Sequence, residues 1–427
     1  MKELLSVSEA REKLLAALTP ATASPEDIER VQLSQAAGRV LAEDVHSSLD
    51  LPPFANSSMD GFAVRAADVE GAQAGHPVIL KVVADIAAGL SPDVHLQPGQ
   101  AARIMTGAPL PEGADAVVPV EDTDFNNRQA GVAAPDQVQI FVSADPGQYV
   151  RPRGQDVHTG ELVMKSRRRL NAAEVGFLAM LGMKDIPVFR RPRVGLFSSG
   201  DELLASGEPL KPGKIYESNS YTLAALIQEW GGEALHLGIA ADEAEAVQRL
   251  LDRAVEEKVD LILSSAGVSV GAFDFVRSVV EAHGSLSFWR VNMRPGKPLA
   301  FGNYRGIPFA GLPGNPVSAF VSFQVFIRPA LQKMAGEISV ERQTIRVQLA
   351  EPVESDGRES YLRAIVTPQK QPSGERQWQA RLTGHQGSGN LRSLVQANAL
   401  LIVPSGVKSL PAGAETDAWI LNDELPG

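Results

Sequence analysis

The chain has 427 residues, 44% of them hydrophobic and 21% charged, which is typical of folded globular proteins and excludes wholesale disorder. At roughly 150 residues per domain, this length predicts about three domains. The net charge of −11 argues against a general nucleic-acid-binding protein, and an anionic ligand therefore needs a local basic cluster. Cysteine is absent, which excludes disulfides, thiolate metal sites, iron–sulfur clusters and cysteine nucleophiles.

The amino-terminal segment is charged and has a helical pattern. Residues 7–18 are predicted to form an amphipathic helix, with Ser6 as its N-cap and Glu9 completing a capping box. The segment lacks the apolar stretch and cleavage site of a signal peptide. No other segment approaches the roughly 18 apolar residues of a membrane span. We therefore expect a cytoplasmic protein without a membrane partner.

The next part of the chain changes from a helical to a β pattern. A second helix is predicted at 25–37, where Pro25 and two acidic residues resemble a first turn. The segment LPPFANSSMDGFAV, which begins at Leu51, predicts a long shaped loop. Short β-branched runs between 78 and 150 predict a small β-rich domain, and a further helix is predicted at 170–182.

Residues 193–336 alternate strands and helices, from the strand RVGLFSSG to the helix PVSAFVSFQVFIRPALQKMAG. This order predicts an α/β domain with a doubly wound parallel sheet that helices cover on both faces. Residues 340–427 return to short β segments separated by turns, which predict a compact β-barrel or sandwich. The fold class is therefore α/β plus β, in several domains.

Loops rich in glycine and serine follow the predicted strands of the α/β region. In an open α/β sheet, ligands bind beyond the carboxyl ends of the strands, so these loops are the expected binding site. Glycine lets the backbone approach a phosphate closely, and hydroxyls, N–H groups and helix N-termini interact favourably with its oxygens. The loops span 198–202, 264–271, 294–298 and 312–318.

Charged residues in these loops form two sets. Arg290, Arg294 and Lys297 provide the local basic cluster that an anion needs in an acidic protein, although Arg290 is equally compatible with a solvated strand end. Asp201, Glu202 and Asp274 would repel that anion unless a divalent cation lies between them, which points to Mg²⁺. Glu202 is the stronger metal candidate, because Asp201 is also compatible with a helix N-cap.

Other motifs argue against several familiar activities. Lys297 is followed by Pro298, so there is no Walker-type Gly-Lys-Ser/Thr sequence, and no Gly-x-Gly-x-x-Gly follows the first strand. The seven histidines include no His-x-x-x-His pair, which disfavours a zinc hydrolase, and His385 is interpreted as a loop histidine. Read alone, the polar clusters at 56–63, 103–109 and 151–156 are structural turns.

Together, these segments closely resemble the molybdopterin molybdenumtransferase family, which includes the E domain of gephyrin. The matches follow the family's order from about residue 52 to 320, so the resemblance covers nearly the whole chain. They are PPFANSSMDGFAV, RIMTGAPLPEGADAVV, RPRGQDV, FSSGDEL, SSAGVSVGAFDF, RPGKPLAFG and GLPGNPVSAF. Two positions depart from the pattern, since Ala266 replaces a usual glycine and Arg294 stands where lysine is common.

The resemblance implies an elongated homodimer of four-domain chains. A discontinuous linker domain is expected at 1–58 with 152–184 and a β-rich domain at 59–151. A catalytic α/β domain like molybdopterin adenylyltransferase is expected at 185–337, and a C-terminal β domain at 338–427. The active site is expected between the α/β domain of one subunit and the β-rich domain of the other.

The resemblance also implies a reaction. Adenylylated molybdopterin and molybdate would give molybdenum cofactor and AMP with the help of Mg²⁺, and the upstream adenylyltransferase is an expected partner. Glu202, with Asp201 or Asp274, is expected to hold Mg²⁺, while Arg294 and Lys297 bind anionic oxygens and the loop 265–271 cradles a phosphate.

The site residues implied by the resemblance fall into two groups. The expected catalytic residues are Asp60, Thr106, Asp156, Glu202, Asp274 and Lys297, with Asp60 and Thr106 supplied by the partner subunit. The expected substrate-binding residues are Ser199, Gly200, Ser265, Gly267, Ser269, Gly271, Arg294, Pro313, Gly314, Asn315, Pro316 and Ser318.

Two alternative functions stay open. The preceding enzyme, which adenylylates molybdopterin with Mg-ATP, shares the α/β fold, but the β-rich and C-terminal domains argue against it. A scaffold without catalysis is disfavoured because Asp60, Glu202, Asp274 and Lys297 are all present. Molybdate and tungstate are nearly isosteric, so the sequence does not distinguish them.

Overall fold

The computed structural model describes residues 4–125, 132–265, 275–338, 342, 344–370 and 376–421. The chain forms two compact units. The larger unit comprises Met1–Glu43, Arg167–Gly176 and Lys184–Gly427, and the smaller unit comprises Asp44–Ser166 and Phe177–Met183. Since these two units do not distinguish four domains, the division into four domains stays a prediction.

A six-stranded sheet forms the centre of the larger unit. Its strands are, in spatial order, Glu233–Ala240, Arg193–Ser199, Leu261–Ser265, Ile307–Leu312, Pro298–Tyr304 and Gly284–Arg290. The first four are parallel, as predicted, but Pro298–Tyr304 runs antiparallel to both of its neighbours. The predicted parallel arrangement is therefore confirmed for the first four strands but not for Pro298–Tyr304.

The length of a connection explains this antiparallel edge. A parallel connection needs a crossover of about a dozen residues, whereas Arg305 and Gly306 alone join Pro298–Tyr304 to Ile307–Leu312. Both residues have positive φ angles, 47° and 92°, as a two-residue hairpin turn requires. A link this short makes a hairpin.

Helices pack against both faces of this sheet, as predicted. On the strand Arg193–Ser199, Leu196 belongs to one apolar core and Phe197 to another, because successive side chains point to opposite faces. The helices of the larger unit's core are Val7–Ala16, Asn219–Glu229, Ala244–Glu256, Phe275–His283, Pro316–Ser322 and Arg328–Met334, with a π-helical turn at Phe323–Ile327 joining the last two. No helix among the described residues is long and apolar enough to cross a membrane.

The predicted capping box at the amino-terminal helix is confirmed. Ser6 Oγ accepts a hydrogen bond from the Glu9 N–H at 3.2 Å, and Glu9 Oε2 accepts one from the Ser6 N–H at 2.8 Å. Each side chain satisfies a backbone donor that the first helical turn leaves without a partner. The helix starts one residue after Ser6 and ends at Ala16.

The helix predicted at 25–37 is wrong. This segment instead forms the strand Ile28–Gln32, which pairs antiparallel with Asp185–Phe189, and a short 3₁₀ helix at Leu33–Gln35. Asp27 does not stabilise a first helical turn, because its carboxylate accepts the N–H and hydroxyl of Thr22, both at 2.9 Å. Pairing with a distant strand thus overrides the local helical signal.

The C-terminal part of the larger unit is a closed β-barrel, one of the two predicted forms. Its strands are, in spatial order, Glu359–Lys370, Arg376–Leu382, Thr344–Leu349, Glu415–Ile420 and Ala399–Val403. The last strand pairs back with the first, which closes the barrel. Shorter elements in and around it are the strand Met293–Arg294, the pair Val353–Glu354 with Ser409–Leu410, and the helix Arg392–Gln396.

The smaller unit contains the predicted β-rich region. Its five-stranded sheet has the order Ala116–Pro119, Gly61–Val64, Gln100–Ile104, Gln73–Ile86 and Gln137–Val142. Two short antiparallel pairs accompany this sheet: Asn56–Ser57 with Val150–Arg151, and Val45–His46 with Leu162–Met164. The 3₁₀ turns of this unit are Ala66–Val69 and Val120–Asp122. The helix predicted at 170–182 is confirmed as Ala172–Met180, and its residues are divided between the two units.

Candidate active site

A cavity of about 570 Å³ lies at the carboxyl ends of the strands Arg193–Ser199 and Leu261–Ser265. Several side chains that the sequence singled out line this one cavity. They are Ser199, Glu202, Ser265, Pro313, Gly314, Asn315 and Pro316. The post-strand loops therefore meet at one sheet edge, as the rule for open α/β sheets predicts.

Asn219, which the sequence reasoning missed, joins two of these loops. Its Nδ2 donates to Ser265 Oγ at 2.6 Å and to the Gly314 carbonyl at 2.7 Å. Asn219 is buried and lines the cavity, yet its Oδ1 has no hydrogen-bond partner among the described residues. A buried amide oxygen without a hydrogen-bond partner is energetically unfavourable. We therefore expect a bound ligand to donate a hydrogen bond to it.

Glu217 is a second lining residue that the sequence reasoning missed. Its carboxylate is buried and accepts hydrogen bonds from Ser198 Oγ at 3.0 Å, from the Ser220 N–H at 2.8 Å and from the Ser220 hydroxyl. These donors hold Glu217 between the end of the first strand and the start of the helix Asn219–Glu229. The only sequence signal was an acidic residue just before a predicted helix.

Gly200 fixes the backbone beside Glu202. Its φ of +147° is a conformation that residues with a side chain rarely adopt, and an added Cβ would lie 2.4 Å from Glu202 Oε2. Gly200 and Asp201 line an adjoining cavity instead of the first one. Asp201 Oδ1 accepts the N–H of Asp242 at 3.2 Å, so this carboxylate already has a partner.

The carboxylates suit a magnesium ion that the protein shares with a substrate. Among the described residues, no group of three or more His, Asp or Glu side chains could hold a metal ion alone. Glu202 is an exposed carboxylate that faces the cavity. Mg²⁺ commonly takes one or two carboxylates, with waters and substrate phosphates as its remaining ligands. The residues present therefore fit this kind of site and do not form an all-protein cage.

The predicted basic residues Arg294 and Lys297 do not line the cavity. Lys297 is exposed and directly precedes Pro298, which lines the cavity. Arg294 is half-buried in a short strand that pairs with the barrel strand Glu359–Lys370. Ser318 is buried in the first turn of the helix Pro316–Ser322 and also does not line the cavity.

Arg363 is the most distinctive residue that the sequence reasoning missed. This arginine is fully buried in the barrel strand and donates to Ser393 Oγ at 2.9 Å and to the Gly387 carbonyl at 3.0 Å. Its Nη1 has no partner, and no ion pair joins it to a carboxylate among the described residues. Burial, together with the charge of Arg294, lowers the pKa of Arg363 to about 10, so it is still a cation at neutral pH.

The loop 384–390 connects Arg363 to the cavity. Gln386 pairs with the Arg363 backbone, accepting its N–H at 2.9 Å and donating to its carbonyl at 3.1 Å. The Ser388 carbonyl accepts the N–H of Val317, and Gly389 lines the cavity. The loop that accepts hydrogen bonds from this buried cation therefore also borders the cavity, although Arg363 itself does not line it. An oxyanion beside the loop would compensate the charge of Arg363.

The smaller unit brings Asp60 and Thr106 together but not Asp156. Asp60 Oδ1 accepts the N–H of Thr106 at 2.7 Å and its hydroxyl at 2.8 Å, because the two residues flank the paired strands Gly61–Val64 and Gln100–Ile104. Both residues are exposed. Asp156 is exposed as well and forms an ion pair with Arg151 at 2.7 Å.

Part of the predicted phosphate loop lies outside the described residues. This applies to the expected site residues Gly267, Ser269, Gly271 and Asp274 and to the family departure at Ala266. Ser265, which directly precedes them, is described and lines the cavity.

Three family models match consecutive parts of the chain. They are the MoeA N-terminal region (domain I and II) over 5–182, a probable molybdopterin binding domain over 195–333 and the MoeA C-terminal region (domain IV) over 346–421. The middle match contains the first cavity apart from Gly389. The fold and these matches thus define the class as an α/β protein of the probable molybdopterin-binding-domain type with MoeA-type flanking regions.

Named relatives are similar in sequence to this chain over almost their full lengths. A molybdopterin molybdenumtransferase of Nostoc sp. is 39% identical over 404 residues, which are 93% of this chain and 90% of that protein. The molybdopterin molybdenumtransferase 2 of Mycobacterium tuberculosis is 41% identical over 408 residues, 92% of this chain and 94% of that protein. The crystal structure of a molybdopterin biosynthesis MoeA protein from Pyrococcus horikoshii gives a TM-score of 0.79 at 30% identity, covering 98% of this chain and 100% of that one.

The chain therefore belongs to the molybdopterin molybdenumtransferase family, as the sequence motifs predicted. It is an enzyme, a transferase of molybdenum cofactor biosynthesis.

Proposed function

We propose that this chain inserts molybdenum from molybdate into adenylylated molybdopterin, with release of AMP, to give molybdenum cofactor. The observation that carries this proposal is the sheet-edge cavity, where hydroxyls, a carboxylate and a buried amide converge. The buried cation Arg363 is connected to the same loops. This arrangement suits a ligand with a pyrophosphate group and a separate oxyanion.

The pyrophosphate linkage of the substrate is the bond that breaks. Water attacks one phosphorus atom, the bond from that phosphorus to the bridging oxygen breaks, and AMP and molybdopterin separate. Ser199 and Ser265 line the cavity and can donate hydrogen bonds to the phosphate oxygens. This reaction depends on positioning and charge neutralisation more than on a strong protein nucleophile. The thiolates that receive molybdenum belong to the substrate, which is consistent with a chain that has no cysteine.

Magnesium is part of the proposal. Glu202 would hold Mg²⁺ together with phosphate oxygens of the substrate, and Asp274 is a further expected ligand. When bound, the ion would neutralise charge that develops on the pyrophosphate. Arg294, Lys297 and Arg363 would attract the oxyanion, since they supply the local positive charge that an acidic protein otherwise lacks.

The proposed metal role is tested by Glu202→Gln. This variant keeps the size of the side chain but removes its charge, so Mg²⁺-dependent AMP release should fall at least tenfold. Glu256→Gln, an exposed change in the helix Ala244–Glu256, is the matched control and should retain wild-type turnover. Equal turnover in the two variants would remove Glu202 from the metal site.

We further propose that the active form is a homodimer in which Asp60 and Thr106 of one protomer complete the cavity of its partner. Support comes from their pairing, because Thr106 holds the exposed Asp60 carboxylate with two hydrogen bonds. The upstream adenylyltransferase would supply the substrate to this dimer.

Co-expression of two inactive variants tests the shared site. Asp60→Ala and Glu202→Ala would each inactivate a homodimer, but a mixed dimer has one site with both defects and one site with none. Random pairing should therefore restore about a quarter of wild-type activity. Active sites formed within one protomer would stay inactive in every pairing, and this result would contradict the shared site.

A further inference from the structure

A second cavity of about 680 Å³ adjoins the candidate active site. Leu203 and Glu217 line both cavities, so a single wall separates them. Half of the remaining lining residues have apolar side chains, among them Leu204, Tyr221 and Ile239. The first cavity, by contrast, has hydroxyls, an amide and a carboxylate among its lining groups.

Two aromatic rings stand at this second cavity. Tyr221, on the helix Asn219–Glu229, and His236, on the edge strand Glu233–Ala240, have ring centroids 6.1 Å apart and planes tilted by 46°. Tyr221 is 56% exposed and Ile239 is 38% exposed. Large apolar side chains that remain exposed around a concave site indicate a ligand that covers them.

A β-bulge shapes the wall of this cavity. Leu196 pairs with His236, but the next residue, Phe197, pairs with Gly238, so Leu237 is an extra residue in the edge strand. Bulges re-aim side chains and often occur beside functional sites. Here the bulge leaves Gly238 exposed next to Ile239, and the φ of +124° at Gly238 favours a residue without a side chain. That part of the wall is therefore flat.

We propose that this second cavity binds the adenine ring of the adenylylated substrate while the phosphates occupy the first cavity. The inference rests on the proposed function, because that reaction supplies an adenylyl group. Stacking on the exposed Tyr221 ring would hold a flat ring, with His236 beside it. The carboxylates of Asp201 and Glu208 line the cavity. They can accept a hydrogen bond from the amino group of adenine, and their negative charge repels a phosphate.

Binding of AMP and of inorganic pyrophosphate to the full chain, with Mg²⁺ present, separates the two cavities. In Tyr221→Ala the dissociation constant of AMP should rise about tenfold, as expected for one lost stacking contact, while that of pyrophosphate stays unchanged. Tyr221→Phe retains the ring and should bind AMP as the wild type does. The matched control is Leu210→Ala, because Leu210 is 63% exposed and lines neither cavity.

Two results would overturn this assignment. One is an unchanged AMP affinity in Tyr221→Ala. The other is a free pterin that competes with AMP for the wild type but no longer competes in Tyr221→Ala, although AMP still binds that variant. The cavity would then hold the pterin ring. The binding measurement does not require turnover. If AMP binding depends on Tyr221 but molybdate does not stimulate AMP release, the reaction is wrong and the base site stands. If release occurs with the same KM in Tyr221→Ala, the base site is wrong and the reaction stands.

Discussion

Replacing Arg363 with methionine tests the role of the buried cation in oxyanion binding. The guanidinium donates to one serine hydroxyl and to two backbone carbonyls, and no carboxylate among the described residues forms an ion pair with it. An isolated cation in this position is unfavourable until an anion binds. Methionine preserves much of the volume and removes the charge.

The structure sets the expected magnitudes. A hydrogen bond between an oxyanion and a charged donor contributes about 1.5–3 kcal/mol, so losing it should weaken molybdate binding roughly 10- to 150-fold. Protein stability should change much less, because two opposing effects accompany the substitution. The carbonyls of His385 and Gly387 lose a donor, but a buried uncompensated charge disappears. Ser393 keeps its hydrogen bond to the Asn390 carbonyl at 2.6 Å. We expect the free energy of unfolding to change by less than about 2 kcal/mol.

Isothermal titration of the full chain with molybdate measures this effect, and thermal unfolding checks the fold. Arg346→Met is the matched control, since Arg346 lies on the same barrel but is 62% exposed and pairs with acidic residues. Equal molybdate affinity in Arg363→Met, Arg346→Met and the wild type would refute the idea that the buried charge serves an oxyanion.

Three further substitutions test other parts of the structure. Gly200→Ala should abolish AMP release, because the new Cβ would lie 2.4 Å from Glu202 Oε2 in a backbone conformation that disfavours side chains; wild-type turnover would contradict this. Thr106→Val should lower kcat at least tenfold with the fold intact by circular dichroism, because Asp60 loses one of its two hydrogen bonds from residue 106; an unchanged kcat would argue against the pair. Asp50→Asn removes a carboxylate whose pKa is lowered to about 2 by hydrogen bonds from a backbone N–H and a guanidinium. The folded-state pKa lies below the ordinary 3.8, so the wild type should have the higher Tm above that pH and lose this advantage as the pH falls towards 2; a constant difference in Tm would contradict the assignment.

The sheet-edge part of the site could be predicted from the sequence. Parallel strands end at the same edge of a sheet, so the order of strands and loops alone places together residues that are far apart in the chain, such as Ser199, Ser265 and Asn315. The apolar patterns of the strands and helices in 193–336 are clear enough to show where each strand ends and the following loop begins. The family motifs then indicated what the loops bind.

Other features depend on contacts that a local pattern does not encode. Arg363 lies in an ordinary strand, on the face opposite the barrel-core residues Leu362 and Ala364. Its guanidinium is buried against the loop 384–390 and the helix Arg392–Gln396, which are distant in sequence. The strand Ile28–Gln32 forms because Asp185–Phe189 pairs with it from more than a hundred residues away, which the helical interpretation of 25–37 ignored. The two-residue connection at Arg305 and Gly306 does indicate an antiparallel hairpin in the sequence. The prediction instead followed the alternation of strands and helices in the rest of the region, which favours parallel strands.

The transfer of molybdenum to an adenylylated pterin is the step on which the proposed function depends. The most direct test of that step is to measure AMP release from adenylylated molybdopterin with Mg²⁺, in the presence and in the absence of molybdate. We expect that molybdate stimulates AMP release and that the metal is afterwards bound to the pterin. Consumption of free molybdopterin and ATP, with no molybdate-dependent release of AMP, would contradict the proposed function and assign the chain to the preceding adenylylation step.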